Sequence, residues 1–83
     1  MFKVKVRVTP KKGILDPQGQ AVENALRSMR YGSVESVRIG KYMEIMIQGE
    51  DEGQVEAQVN EMCQKLLANP VIEDYSFEME RIK

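Results

Sequence analysis

The chain predicts an α+β fold with the element order βαββαβ, and three observations predict it. Phe2, Val4, Val6 and Val8 alternate with Lys3, Lys5, Arg7 and Thr9, the period of a half-buried strand. Two stretches, Pro17 to about Met29 and about Gln54 to Ala68, carry apolar residues at helical spacing. The remaining apolar runs are short, rich in β-branched residues and bounded by glycine, proline or acidic residues, which places strands between and after the helices.

Taken in order, the first strand has one apolar and one basic face. Thr9 to Leu15 is a loop with Pro10 and Gly13. The segment Ile14-Leu15-Asp16-Pro17-Gln18-Gly19 then starts a helix. Asp16 can accept from the orphan N–H groups of the first turn, and Pro17 sits where a missing N–H costs nothing. Gly19 is the odd choice, at roughly 1 kcal/mol of helix propensity relative to Ala. It suits either a ligand-facing site or a turn shaped for close packing against a neighbour. Ala21, Val22, Ala25, Leu26 and Met29 form the stripe of this helix, and Gly32 is its expected terminator.

Val34, Val37 and Ile39 predict a second strand, and Gly40-Lys41 a turn into a third, where Met43, Ile45 and Ile47 alternate with Tyr42, Glu44 and Met46. The acidic loop Gly49 to Gly53 leads to the second helix, striped by Val55, Val59, Met62, Cys63, Leu66 and Leu67. Asn69-Pro70 stops it, because the residue before proline avoids helical geometry. The last strand spans about Val71 to Ile82, with Tyr75, Phe77 and Met79 inward.

This order gives a ferredoxin-like sandwich, a four-stranded antiparallel sheet with both helices on one face, in one domain covering residues 1–83. In the strand order 4-1-3-2 the open face carries Lys3, Lys5 and Arg7, flanked by Glu78 and Glu80 on one side and Tyr42, Glu44, Met46 and Gln48 on the other. Such a face is either solvated and laced by cross-strand ion pairs or covered by another subunit. A nucleic-acid platform is disfavoured, since such modules stack bases on aromatic residues and only Tyr42 is available.

Composition narrows the function further. At 83 residues, stability is marginal and oligomerisation would help. A net charge of −1 gives no pull toward nucleic acid or anionic membrane. One cysteine and no apolar run of spanning length point to a cytoplasmic chain. There is no histidine, so the commonest general base and metal ligand are missing, and independent catalysis is disfavoured. Cys63, on an apolar stripe, reads as a buried structural thiol. Lys11-Lys12-Gly13 beside a helix start is either a phosphate contact or a solvated basic loop, and Glu50-Asp51-Glu52 is solvent-facing charge without calcium-loop spacing.

Three segments together, Ile14 to Gly19, Val37-Arg38-Ile39-Gly40-Lys41, and Lys65 to Tyr75 through Asn69-Pro70, resemble the PurS family. This is the small accessory subunit of phosphoribosylformylglycinamidine synthase, a ligase of de novo purine synthesis. The resemblance implies a subunit with no catalytic residue, cofactor or metal of its own, which dimerises and bridges two partners. One partner is a glutaminase subunit that releases ammonia. The other is a large synthetase subunit that uses ATP and magnesium to activate the amide for attack by that ammonia. On this reading the partner contacts come from Asp16, Pro17, Gln18 and Gly19, from Arg38, Gly40 and Lys41, and from Asn69, Glu73 and Tyr75. The rival expectation is a regulatory domain of the same topology that binds a small ligand between protomers.

Overall fold

The computed structural model describes residues 1–82. Strand β1 (Phe2–Pro10) is the centre of a three-stranded antiparallel sheet. It pairs with β2 (Lys41–Ile47) on one side and β3 (Glu73–Arg81) on the other, with Val6 opposite both Met43 and Phe77. Because partners in register share a face, the apolar sets of all three strands fall on one side of the sheet. There Phe2, Val4, Val6 and Val8 are fully buried, joined by Val55, Val59 and Cys63 of helix α2 (Glu52–Met62) and its continuation. Tyr75, Phe77 and Met79 from β3 and Met43, Ile45 and Ile47 from β2 pack around them, half-buried.

Helix α2 starts two residues before the expected Gln54, because Asp51 is a better N-cap than the loop reading allowed. Its carboxylate accepts from the N–H groups of Gly53 at 3.0 Å and Gln54 at 3.4 Å. The helix ends in a wide turn over Cys63–Leu67, closed by Ala68 N–H donating to Cys63 C=O at 3.0 Å. The wide turn advances each residue by a smaller angle than an α-turn. Leu66 therefore rotates off the apolar stripe to which its spacing assigned it and is 82% exposed, while Ala68 is buried.

Helix α1 (Pro17–Ser28) departs from expectation most. It contributes nothing to the buried core, and Val22 and Met29 of its apolar stripe lie exposed. Its C-terminus is a Schellman motif: Tyr31 N–H donates to Leu26 C=O at 3.1 Å and Arg30 N–H to Arg27 C=O at 3.0 Å. The left-handed residue of that motif is Arg30, with φ of 72°, rather than the expected Gly32.

The fourth strand is a second correction. Val34 to Ile39 is extended but joins no ladder, so three strands stand where four were expected and only one helix covers the sheet. Two physical reasons account for it. A two-residue hairpin turn requires positive φ, whereas Gly13 and Arg30 alone adopt it among the described residues. Such a turn at Gly40-Lys41 would also set Ile39 opposite Tyr42 and Val37 opposite Glu44, moving apolar residues onto the charged face. The chain instead runs without turn or bend from Val34 into β2. Helix α1 and this return segment form an arm projecting from the sheet. A nine-residue strand of about 30 Å and a twelve-residue helix of about 18 Å, end to end, fill the 50 Å long axis. The radius of gyration is 16.3 Å, against about 12 Å for a compact chain of this length.

Candidate protein interface

The segments singled out in the sequence meet at one end of the sheet, where β1 ends and β2 and β3 begin. Asp16 holds the root of the arm. Its Oδ1 accepts the N–H of Gly19 at 3.1 Å, capping α1, and its Oδ2 accepts the N–H of Ile39 at 2.9 Å. These two bonds, the Ile39 one first, lower the pKa of the Asp16 carboxyl. Gly19 is buried against the return segment: a Cβ there would sit 2.5 Å from the carbonyl oxygen of Val37. The neighbour that its bare backbone admits is the chain itself. Pro17 and Gln18 lie exposed on the first turn of α1.

Arg38 and Gly40 fasten the return segment to β1. Arg38 Nη1 donates to Pro10 C=O at 3.1 Å, and a Cβ on Gly40 would clash with Val8 C=O. Lys41 lies 3.9 Å from the Glu73 carboxylate, whose other oxygen accepts the N–H of Asn69 at 2.7 Å. Asn69 Oδ1 accepts the N–H of Val71 at 3.1 Å, and Lys11 N–H donates to Ile72 C=O at 2.9 Å. Most of the polar groups in the three segments are thus spent within the chain. Tyr75 stands apart from this cluster, on the α2 side, donating its hydroxyl to Asn60 Oδ1 at 2.7 Å.

The Lys11-Lys12-Gly13 loop is poorly suited to phosphate, because the Asp16 carboxylate already occupies the start of α1. Among the described residues no group of three or more His, Cys, Asp or Glu could hold a metal ion, and no helix is long and apolar enough to cross a membrane.

The open sheet face carries the residues expected of it, tied across strands. Arg7 Nη1 donates to Glu78 at 3.0 Å, Lys3 lies 3.6 Å from Glu44, and the Arg7 guanidinium sits 5.6 Å from the centre of the Tyr42 ring. The Tyr42 hydroxyl donates to Glu44 at 2.9 Å, which raises the phenol pKa and lowers that of the carboxyl. These pairs are solvent-exposed and contribute little to stability.

What sequence reasoning missed is the extent of bare apolar surface away from this face. Leu15 is exposed just before the arm and Val22 and Met29 on it, and Leu66 within the wide turn and Val71 beyond it are each about four-fifths exposed. Chains that fold and act alone rarely leave so much uncovered. Gly19 was no signal for it, since the close neighbour of its bare backbone is the chain's own return segment.

Comparison with known proteins finds subunits of one synthase. The family described as "PurS: Phosphoribosylformylglycinamidine (FGAM) synthase" matches residues 3–81. The chain is similar to the phosphoribosylformylglycinamidine synthase subunit PurS of Bacillus subtilis, with 56% identity over 99% of this chain and 96% of that one. Its structure resembles a crystal form of B. subtilis PurS, with a TM-score of 0.86 and 57% identity, covering 98% of this chain and 100% of that one. It also resembles a chain in the structure of PurLQS from Thermotoga maritima, with a TM-score of 0.84 and 29% identity, covering 95% of this chain and 96% of that one.

Proposed function

The chain belongs to the PurS family, the small subunits of phosphoribosylformylglycinamidine synthase in purine biosynthesis, and from that premise we propose that it bridges the other two subunits of that ligase. In this reading it forms a homodimer that holds a glutaminase subunit and a large synthetase subunit in one complex. Ammonia then passes from one to the other without escaping to water. ATP and magnesium act on the large subunit, and this chain contributes surface alone.

The observation that carries the reading is the bare apolar surface on α1 and around Leu66, on a chain with no histidine. Burial of such surface is the main favourable term in association, at about 25 cal/mol per Å² before ordering costs. The T. maritima complex named for three subunits, in which a similar chain takes part, supports the same reading. A small-ligand regulatory domain would be expected to converge buried polar groups on a cavity. Here every side chain in the buried core is apolar or a thiol.

Reconstitution tests this. The synthetase and glutaminase subunits are assayed with and without this chain, using either glutamine or free ammonium as nitrogen source. The expected result is that omitting the chain abolishes glutamine-dependent turnover while ammonium-dependent turnover persists. Equal glutamine-dependent turnover in its absence would overturn the bridging role.

A further inference from the structure

We infer that the free edge of β3 takes up an extended segment of another subunit of the synthase, one in which apolar and basic residues alternate. The segment pairs with β3 as a further strand and lies in the groove between β3 and α2. The inference rests on the bridging reading above and specifies one of its contacts.

The backbone supplies the first observation. Ile82 N–H donates to Met1 C=O at 2.8 Å and Lys11 N–H to Ile72 C=O at 2.9 Å, so the even-numbered residues of β3 aim their backbone groups at β1. The odd-numbered ones aim theirs outward. No strand lies on that outer side, and among the described residues the N–H groups of Tyr75, Phe77 and Met79 have no hydrogen-bond partner. The edge is also unguarded by the usual devices. Nine consecutive residues pair with β1 without a bulge, and none of them is proline or lysine.

Second, α2 leaves a groove beside this edge. Gly53 and Ala57 are exposed on the helix, and with Phe77 they line a groove of about 480 Å³. One end is closed by Tyr75, whose hydroxyl donates to Asn60 Oδ1 at 2.7 Å. At the other end, the Arg81 guanidinium lies 4.7 Å from the centre of the Phe2 ring and donates to Glu50 C=O at 3.0 Å. From Tyr75 to Arg81 is about 20 Å of strand, the span of an ordinary strand of about six residues. An edge strand beside a helix is a geometry suited to strand addition, in which backbone hydrogen bonds give affinity and side-chain pockets give specificity.

Third, charge selects the occupant. Glu56 on the helix rim and Asp74 and Glu80 on the strand have no ion-pair partner among the described residues, and Glu78 is met by Arg7. An added strand turns alternate side chains to the two faces of the sheet. On the helix side they meet Phe77, Met79 and Ala57, which calls for apolar residues. On the open face they meet Asp74, Glu78 and Glu80, which calls for lysine or arginine. A second copy of β3 is a poor occupant. Paired with itself about Phe77, the strand would set Asp74 opposite Glu80 twice, and about Met79 it would set Glu78 opposite Glu80 twice. The acidic row therefore works against self-pairing and admits a basic partner.

The test uses the whole chain with the purified synthetase and glutaminase subunits. Amide exchange of the isotope-labelled chain is followed alone and in the assembled complex, and assembly is titrated at low and high salt. In the chain alone, Tyr75, Phe77 and Met79 should exchange freely while Ser76 and Glu78 are already protected. In the complex the first three should gain roughly a hundredfold protection or more. Ala57→Arg, which obstructs the groove, and the double reversal Glu56→Lys with Glu80→Lys should each weaken assembly by about tenfold or more, with the sheet signals of the chain unchanged. Salt should weaken the wild-type assembly. Assembly in which the three amides still exchange freely would overturn the groove and leave the bridging role standing. Their protection in the chain alone, growing with its concentration, would make a second copy the occupant and overturn the basic partner. Failure to assemble at all overturns both.

Discussion

The Asp16 carboxylate binds two backbone groups 20 residues apart, the N–H of Gly19 at the start of α1 and the N–H of Ile39 at the end of the return segment. One side chain therefore both caps the helix and fixes the spacing of the arm's two limbs. Asp16→Asn keeps a single carbonyl acceptor, so one of the two bonds is lost, and Asp16→Ala loses both. Both variants should lower the thermal midpoint at pH 7 by a few degrees or more, Ala more than Asn. The folded-state pKa of Asp16 lies below its ordinary value, so its contribution is present above the unfolded pKa, near 4, and is lost as pH falls through the folded value. The gap between wild type and Asp16→Asn should accordingly close as pH falls below about 4. A gap unchanged from pH 7 to pH 2.5 in calorimetric scans would contradict the assignment.

Gly19 and Gly32 make an opposed pair. Alanine at Gly19 gains about 1 kcal/mol of helix propensity but forces a Cβ to 2.5 Å from a backbone oxygen, and overpacking of that kind costs about 1–3 kcal/mol. Gly19→Ala should therefore destabilise, by about 1 kcal/mol net. Nothing lies within 4 Å of a Cβ at Gly32, and its φ is not positive, so Gly32→Ala should stabilise by about 0.4–1 kcal/mol through the unfolded state. Urea unfolding of the two variants checks the signs.

Arg30 holds a left-handed conformation that costs a residue with a Cβ about 1–2 kcal/mol. Arg30→Gly removes that cost and adds unfolded-state entropy, for a net gain of about 0.5–1 kcal/mol. The readout is a raised denaturation midpoint with an unchanged slope. A fall in stability would mean that the Arg30 side chain makes contacts worth more than the strain.

The strand alternation of Phe2 to Val8, the α1 N-cap and the facing of Tyr75, Phe77 and Met79 were all legible, because each depends on spacing within a few residues. The detachment of α1 was not. An amphipathic stripe declares that a helix must bury a face, and says nothing about whether the surface it meets belongs to the same chain. The parity of Val37, Ile39 and Met43 did hold the warning against a hairpin, but only once Gly40-Lys41 is tested for register rather than for turn residues. The wide turn at Cys63–Leu67 leaves no mark in composition, and with it went the exposure of Leu66. The interface residues followed the same divide. Asp16, Arg38 and Glu73 were expected to contact partners, and the structure places each of them in contacts internal to the chain.

Cys63 begins that wide turn and lies fully buried with Val59 in the cluster that seals β1. Burial raises its thiol pKa, since a thiolate there would be desolvated without a partner. The neutral thiol is thus favoured in the folded state. That preference is fully felt below the unfolded pKa, near 8.5, and is lost as pH rises through the folded value. Cys63→Ala removes the sulfur and leaves a small void, costing about 1 kcal/mol at pH 7. Because the variant has no thiol to ionise, its deficit relative to wild type should narrow between pH 8.5 and 10. Cys63→Ser, which buries a hydroxyl in an apolar site, should cost about 1–3 kcal/mol at pH 7, and its larger deficit should narrow by the same amount, since it too has no thiol to ionise. Denaturant titrations of the three proteins at pH 7 and pH 10 separate these outcomes. A deficit for Cys63→Ala that holds constant across that range would place the thiol in contact with solvent rather than in the core.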